Sequence, residues 1–246
     1  MPGPAGMPPP ARRVGARMTT WGLIGSGNIG STVARLAVRA GHDVVLSNSR
    51  GPETLADLVD ELGPHARAAT PQEAALAGDL VVVTVPFRAR GDLPHAALAH
   101  RVVIDTMNYY PQRDGVVPEL EDESTTSSEI LQSLVPDAWV VKGFNNITAG
   151  HLATLARPGD DDDRSALAIA GDDATAKERV RVALDEIGYD TVDLGPLAQG
   201  WRTQPGTAAY GTVYARDESD WTRGAQPAGR DAVAGAALRA RRHSDG

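Results

Sequence analysis

Short apolar runs alternate with segments of helical period along most of the chain. TTWGLIG at 19–25 reads as a strand, and the apolar positions from Asn28 to Ala40 recur at helical spacing. DVVLSN at 43–48 is a second strand. Gly51-Pro52 then introduces a helix to Leu62, with Pro52 suited to the first helical turn. DLVVVTVP at 79–86 reads as a buried strand and RVVIDTMN at 101–108 as another. ELEDES at 119–124 is expected as solvated loop. Thr126 and Glu129 match a capping box for a helix through Leu134, which leads into the strand WVVKGF at 139–144. SALAIAG at 165–171, a helix over 173–188 and the strand YDTVDLG at 189–195 continue the alternation. It never gives way to a block of one element type. The predicted class is therefore α/β: a three-layer Rossmann fold with a mainly parallel, doubly wound sheet, in a single domain without a separate substrate domain.

The ends of the chain read differently. Residues 1–18 hold Pro, Gly and Arg without apolar periodicity and are expected as a disordered extension, with Met18 a candidate start directly before the first strand. Residues 19–216 form the predicted dinucleotide-binding domain. Residues 217–246 are expected as a polar tail, with 229–242 a candidate terminal helix ending in cationic side chains.

Composition narrows the function. Aromatic residues make up only 4% of the chain, so the core must rely on Val, Leu, Ile and Ala. A net charge of −8 repels polyphosphate backbones and argues against a nucleic-acid partner, though not against a local site for a small anion. There is no cysteine, which excludes disulfides, thiolate metal sites and cysteine nucleophiles. Electron transfer would need a bound organic cofactor. No stretch approaches the roughly 18 consecutive apolar residues of a membrane span, and the N-terminus lacks a signal peptide's apolar core, so a cytoplasmic protein without a membrane partner is expected.

Gly25-Ser26-Gly27-Asn28-Ile29-Gly30 falls between the first strand and the first helix. There the first glycine permits a tight turn, the second lets a pyrophosphate approach the backbone, and the third allows close packing of the helix. The amides of the helix N-terminus would face the phosphates. A purely structural turn is the alternative. About twenty residues on, where an NAD site would place a carboxylate, the chain reads Ser47-Asn48-Ser49-Arg50. Hydroxyls and a guanidinium suit a ribose 2′-phosphate, so the predicted cofactor is NADP(H), against the alternative of a solvated surface arginine.

Val85 and Pro86 end one strand, Asn108 follows the next, and Phe144, Asn145 and Asn146 follow a third, which gathers them at the carboxyl edge of the sheet. Bonds from the asparagines to the nicotinamide end and shielding of a ring by Phe144 are open readings, equally with loop capping and packing. No histidine has a neighbour at metal-ligand spacing. His151 reads as a packing residue before a proton donor, and Asp160 to Asp163 as solvated carboxylates, so no metal is assigned.

In order across residues 21–197, GLIGSGNIG, LSNSRGPETL, VVVTVPF, IDTMNYYP, VVKGFNNITA, IAGDD and VDLGPL resemble the NADP oxidoreductases dependent on the deazaflavin coenzyme F420, and the related cytosolic domain of membrane ferric reductases. The resemblance implies NADP(H) over the glycine loop and Ser49 and Arg50 on the 2′-phosphate. It also implies that Phe144 to Ala149, including Thr148, approach the nicotinamide. Hydride would pass directly between the nicotinamide and a deazaflavin or another flavin as co-substrate, with no catalytic side chain. The region after Gly195 departs from the family's apolar helical ending. Its Trp201, Tyr210 and Tyr214 are candidates for stacking on a planar ring or for packing. Two other functions remain open: reduction of a small carbonyl or imine, and an NADP-binding sensor without turnover. A lone domain leaves one side of the cleft open, which a homodimer would cover.

Overall fold

The computed structural model describes residues 18–242, so the expected N-terminal extension lies outside the described residues except for Met18. The strands are β1 (Thr20–Ile24), β2 (Asp43–Ser47), β3 (Ala66–Ala68), β4 (Leu80–Val83), β5 (Val102–Asp105), β6 (Trp139–Lys142), β7 (Ala166–Gly171) and β8 (Asp190–Asp193). They form one sheet in the order β3-β2-β1-β4-β5-β6-β7-β8. The first six run parallel, β7 is antiparallel to β6, and β8 is parallel to β7. From β1 the chain winds outward through β2 and β3, then returns to β4 on β1's other side. The switch point lies between β1 and β4, where open α/β sheets form a crevice at their carboxyl edge.

The helices are α1 (Asn28–Arg39), α2 (Ala56–Leu62), α3 (Pro71–Ala77), α4 (His95–Leu98), α5 (Pro111–Asp114), α6 (Pro118–Glu121), α7 (Ser127–Leu134), α8 (Ala149–Leu155), α9 (Ala174–Glu186) and α10 (Arg230–Leu238). Successive side chains of a strand enter different cores: Leu80 and Val82 join one cluster, Val81 and Val83 the other. The first cluster lies under α1, α8 and α9, the second under α4 and α7. Both sheet faces are covered, which gives the three layers of a single α/β domain.

Some local expectations change. Part of ELEDES is helical, because Pro118 opens α6 and Val117 and Leu120 pack against the second core. β3 and α3 have no counterpart in the sequence reading. The candidate terminal helix forms as α10, and the segment expected as a polar tail packs through it on β7 and β8, with Ala228 and Val233 buried in the same cluster as β1. No helix among the described residues is long and apolar enough to cross a membrane.

α3 reaches β1 at very close range. A Cβ added to Gly22 would stand 2.1 Å from the carbonyl oxygen of Ala74 and 2.9 Å from its carbon, both backbone atoms. Gly22→Ala should therefore destabilise the fold by about 1–3 kcal/mol as α3 is pushed from the sheet. Urea unfolding reads this as a lower midpoint at unchanged slope, whereas an unchanged midpoint would show that α3 lifts off freely.

Candidate functional site

The glycine loop is shaped by the chain from two sides. Gly25 has φ 105°, its N–H donates to Ser47 O at 3.0 Å, and the Ser26 hydroxyl donates to the same oxygen at 2.8 Å. Thr84, just past β4, donates its hydroxyl to Gly25 O at 2.6 Å. A Cβ on Gly25 would lie 2.6 Å from Thr84 Oγ1, and one on Gly30 2.1 Å from Gly25 O, so packing alone requires glycine at both. Gly27 differs: a Cβ there meets nothing within 4 Å, and as N-cap of α1 it leaves the first-turn amides without a side-chain cap. Its bareness fits a group that approaches from outside, such as a dinucleotide pyrophosphate. Asn28 is exposed, and Ile29 packs on the first core.

Beyond β2 the expected ribose segment forms a tight turn. Asn48 Oδ1 accepts from the N–H groups of Arg50 and Gly51 at 2.9 and 3.0 Å, while its amide donates to Thr54 Oγ1 at 2.8 Å. Asn48 thus holds the turn and leaves recognition to its neighbours. Ser49 and Arg50 are exposed, and the Arg50 guanidinium has no partner among the described residues.

The carboxyl ends of β5 and β6 are joined by a buried ion pair that the sequence reading did not find. Lys142 Nζ lies 3.1 Å from Asp105 Oδ2, with the side chains 4% and 0% exposed. The lysine also donates to Met107 O and, at 3.4 Å, to Ser127 Oγ. Asp105 accepts from Met107 N at 2.8 Å and Ser128 Oγ at 2.6 Å. The signal was present in VIDTM and VVKGF, where a charge closes each of two apolar runs.

Above this pair the predicted asparagines meet. Asn108 Nδ2 donates to Asn145 O at 2.7 Å, and Asn145 Nδ2 donates to Thr203 O at 2.8 Å. Asn146 Nδ2 donates to Ala209 O at 3.0 Å. Asn145 and Asn146 are buried, and their amides bind the C-terminal segment; Asn108 remains half-exposed at the crevice. Phe144, at φ 60°, is also buried, so its ring packs in the first core and presents no face to a ligand. Thr148 caps α8 by accepting from His151 N, Ala149 begins that helix, and α8 packs on α1. Val85 and the exposed Pro86 border the crevice after β4.

Beside Asn108 a cavity of about 350 Å³ opens between Tyr109–Ser127 and Trp201–Gly206. Tyr109, Tyr110 and Trp201 supply aromatic lining, and Arg202 and Arg242 place guanidinium groups 4.6 and 5.0 Å from the Trp201 ring centre. Tyr210 bonds Tyr110, hydroxyl to hydroxyl, at 2.5 Å. Tyr214 is fully buried and donates to Ala166 O, so it packs and cannot stack on a ligand. His151 is buried, with Nε2 2.9 Å from Trp221 O. Among the described residues no group of three or more His, Asp or Glu is placed to hold a metal ion.

Lys142→Met would leave the Asp105 charge buried and unpaired. A loss of about 3–5 kcal/mol is expected in urea unfolding. A loss below 1 kcal/mol would show instead that water reaches Asp105.

A family model for NADP oxidoreductases described as coenzyme F420-dependent matches residues 20–109. The mouse metalloreductase STEAP2 is 30% identical over 187 residues, which cover 74% of this chain and 35% of the mouse protein. The chain thus spans about a third of the length of the curated relatives it matches. A solved hypothetical protein of Sinorhizobium meliloti is 32% identical with a TM-score of 0.67, over 77% of this chain and 91% of the other. A structure from Arthrobacter sp. FB24, named for F420-dependent NADP reduction, is 26% identical with a TM-score of 0.60, over 73% of this chain and 86% of the other. Loop, sheet order and sequence agree on one assignment: residues 20–109 form a domain of the NADP oxidoreductases described as coenzyme F420-dependent.

Proposed function

We propose that this protein moves hydride between NADP(H), held along the carboxyl edge from Arg50 to Asn108, and a flat conjugated acceptor of the deazaflavin or flavin class seated in the cavity beside Tyr110. The observation that carries this reading is adjacency. The cavity begins one residue beyond Asn108, and its aromatic walls offer a ring system both contact area and exclusion of water. When bound, NADPH supplies the hydride.

The chain's own part is positioning. The α1 amides and Gly27 receive the pyrophosphate, and Ser49 and Arg50 hold the 2′-phosphate. Asn108, its amide directed to Asn145 O, keeps its oxygen beside the Asn145 amide at 3.2 Å and borders the nicotinamide end. Asn145 and Asn146 act from beneath, by fixing the C-terminal segment that walls the cavity, while Phe144 packs in the core below them.

Two measurements test the reading. Loss of dihydronicotinamide absorbance should accelerate with a deazaflavin or a flavin. Acceleration by a ferric chelate alone, the arm suggested by the metalloreductase relatives, would overturn the acceptor class, as would no acceleration by any acceptor. Arg50→Ala should weaken NADPH binding roughly ten- to a hundredfold, the equivalent of one charged hydrogen bond, with NADH affinity unchanged. Equal losses for both nucleotides would remove Arg50 from the phosphate site.

A further inference from the structure

Hydride alone does not complete the reduction of a neutral conjugated ring. NADPH gives up hydride and becomes NADP+, and the acceptor gains hydride at its central ring position, carbon in a deazaflavin and nitrogen in a flavin, together with one proton at another ring nitrogen. That proton needs a donor at the cavity. No histidine is among the described residues that line the cavity, and His151 faces Trp221 O in the interior.

Tyr110 lines the cavity two residues after Asn108, and its hydroxyl lies 2.5 Å from that of Tyr210, on the C-terminal segment. Two phenols at this distance form a donor with its own support: when one loses its proton, the other donates to the oxygen left behind. We propose that Tyr110, backed by Tyr210, delivers the proton that accompanies hydride transfer, a role that rests on the acceptor reading of the cavity.

In this step the Tyr110 O–H bond breaks with its electron pair left on oxygen, and the proton passes to the acceptor heteroatom. Tyr210 donates to the phenolate oxygen, and a solvent proton then restores Tyr110. The charged groups at the pair are Arg113, 4.8 Å over the Tyr110 ring, and Asp114, which binds both Arg113 and Tyr110 N. Arg113 offsets the charge that forms on Tyr110. Trp221 packs edge-on against Tyr210 and carries no charge. Burial, followed by the bond with Tyr110, pushes the Tyr210 hydroxyl well above the usual phenol range, so it stays protonated and ready to donate.

The test uses the full chain with Tyr110→Phe and Tyr210→Phe, each first shown to be folded by its circular dichroism and melting curve. Tyr110→Phe should lower kcat for NADPH with a deazaflavin roughly 10²- to 10⁴-fold at neutral pH, with little change in the acceptor's KM. It should also abolish the alkaline fall in kcat that ionisation of the donor produces in the wild type. Apart from turnover, tyrosinate absorbance of the ligand-free protein should show Tyr210 ionising at lower pH in Tyr110→Phe, because the bond that holds its proton is gone. Should Tyr110→Phe not fold, Tyr210→Phe carries the kinetic reading, with a smaller loss of kcat. A wild type that reduces no deazaflavin or flavin defeats the acceptor reading and the donor together. A turning-over wild type whose Tyr110→Phe variant keeps its kcat and alkaline limb, or identical Tyr210 titrations with and without the Tyr110 hydroxyl, overturns the donor alone.

Discussion

The carboxyl edge of the sheet depends on two opposite charges taken out of water. Moving a lysine and an aspartate into the interior costs several kcal/mol per ion, and their attraction offsets this only if the remaining donors and acceptors are also engaged. Here they are: Lys142 reaches Asp105, Met107 O and Ser127, and Asp105 also receives Met107 N and Ser128. Each of these bonds fixes the place where something leaves the sheet. Met107 is tied at both its amide and its carbonyl, which sets the path of β5 toward Asn108 and Tyr110. The serines tie in the start of α7, whose approach closes the floor of the cavity.

The pair also determines what covers it. A Cβ on Gly200 would lie 3.5 Å from Lys142 Cγ, so the C-terminal segment runs directly over the lysine stem on its way to the site. β7 and β8 run against the first six strands but are shifted along them: Ala170 lies beside Lys142 and Asp193 beside Ile169, so β8 ends level with the carboxyl end of β6 and the chain passes from there directly to the site. At the top, Asn145 takes hold of Thr203 and Asn146 of Ala209. The wall of the cavity is thus supplied by a segment far from the glycine loop in sequence and bound to the sheet through two buried amides.

That division explains what was legible in the sequence. The glycine loop, the strand pattern and the capping box at Thr126 follow from local rules of backbone geometry and apolar period, and they stand where those rules put them. β3 was invisible because Ala66-Arg67-Ala68 has no apolar run; it forms by pairing with β2. α3 could have been found, since Thr70 and Glu73 make a capping box like that at Thr126. For the asparagines the sequence left ligand contact and loop capping open, because it placed them at the right edge but held no sign of the segment to which the amides of Asn145 and Asn146 are bound. The same gap hid the cavity: Tyr110 and Tyr210 are separated by 100 positions, and only the fold brings their hydroxyls together.

The chemistry of that pair bears on the kind of acceptor the site suits. A carboxylic acid on the cavity wall would be ionised at neutral pH and a histidine largely neutral, so neither would hold a proton ready in most molecules. A phenol does, and in its partner Tyr210 burial strengthens the hold. Such a donor is of no use to an acceptor that is already cationic and is neutralised by hydride alone. It serves a neutral ring that would otherwise become an anion in a poorly hydrated cavity, where isolated charge is costly. The proposed donor and the proposed acceptor are thus consistent with each other: the conjugated ring of a flavin or deazaflavin takes hydride and proton together.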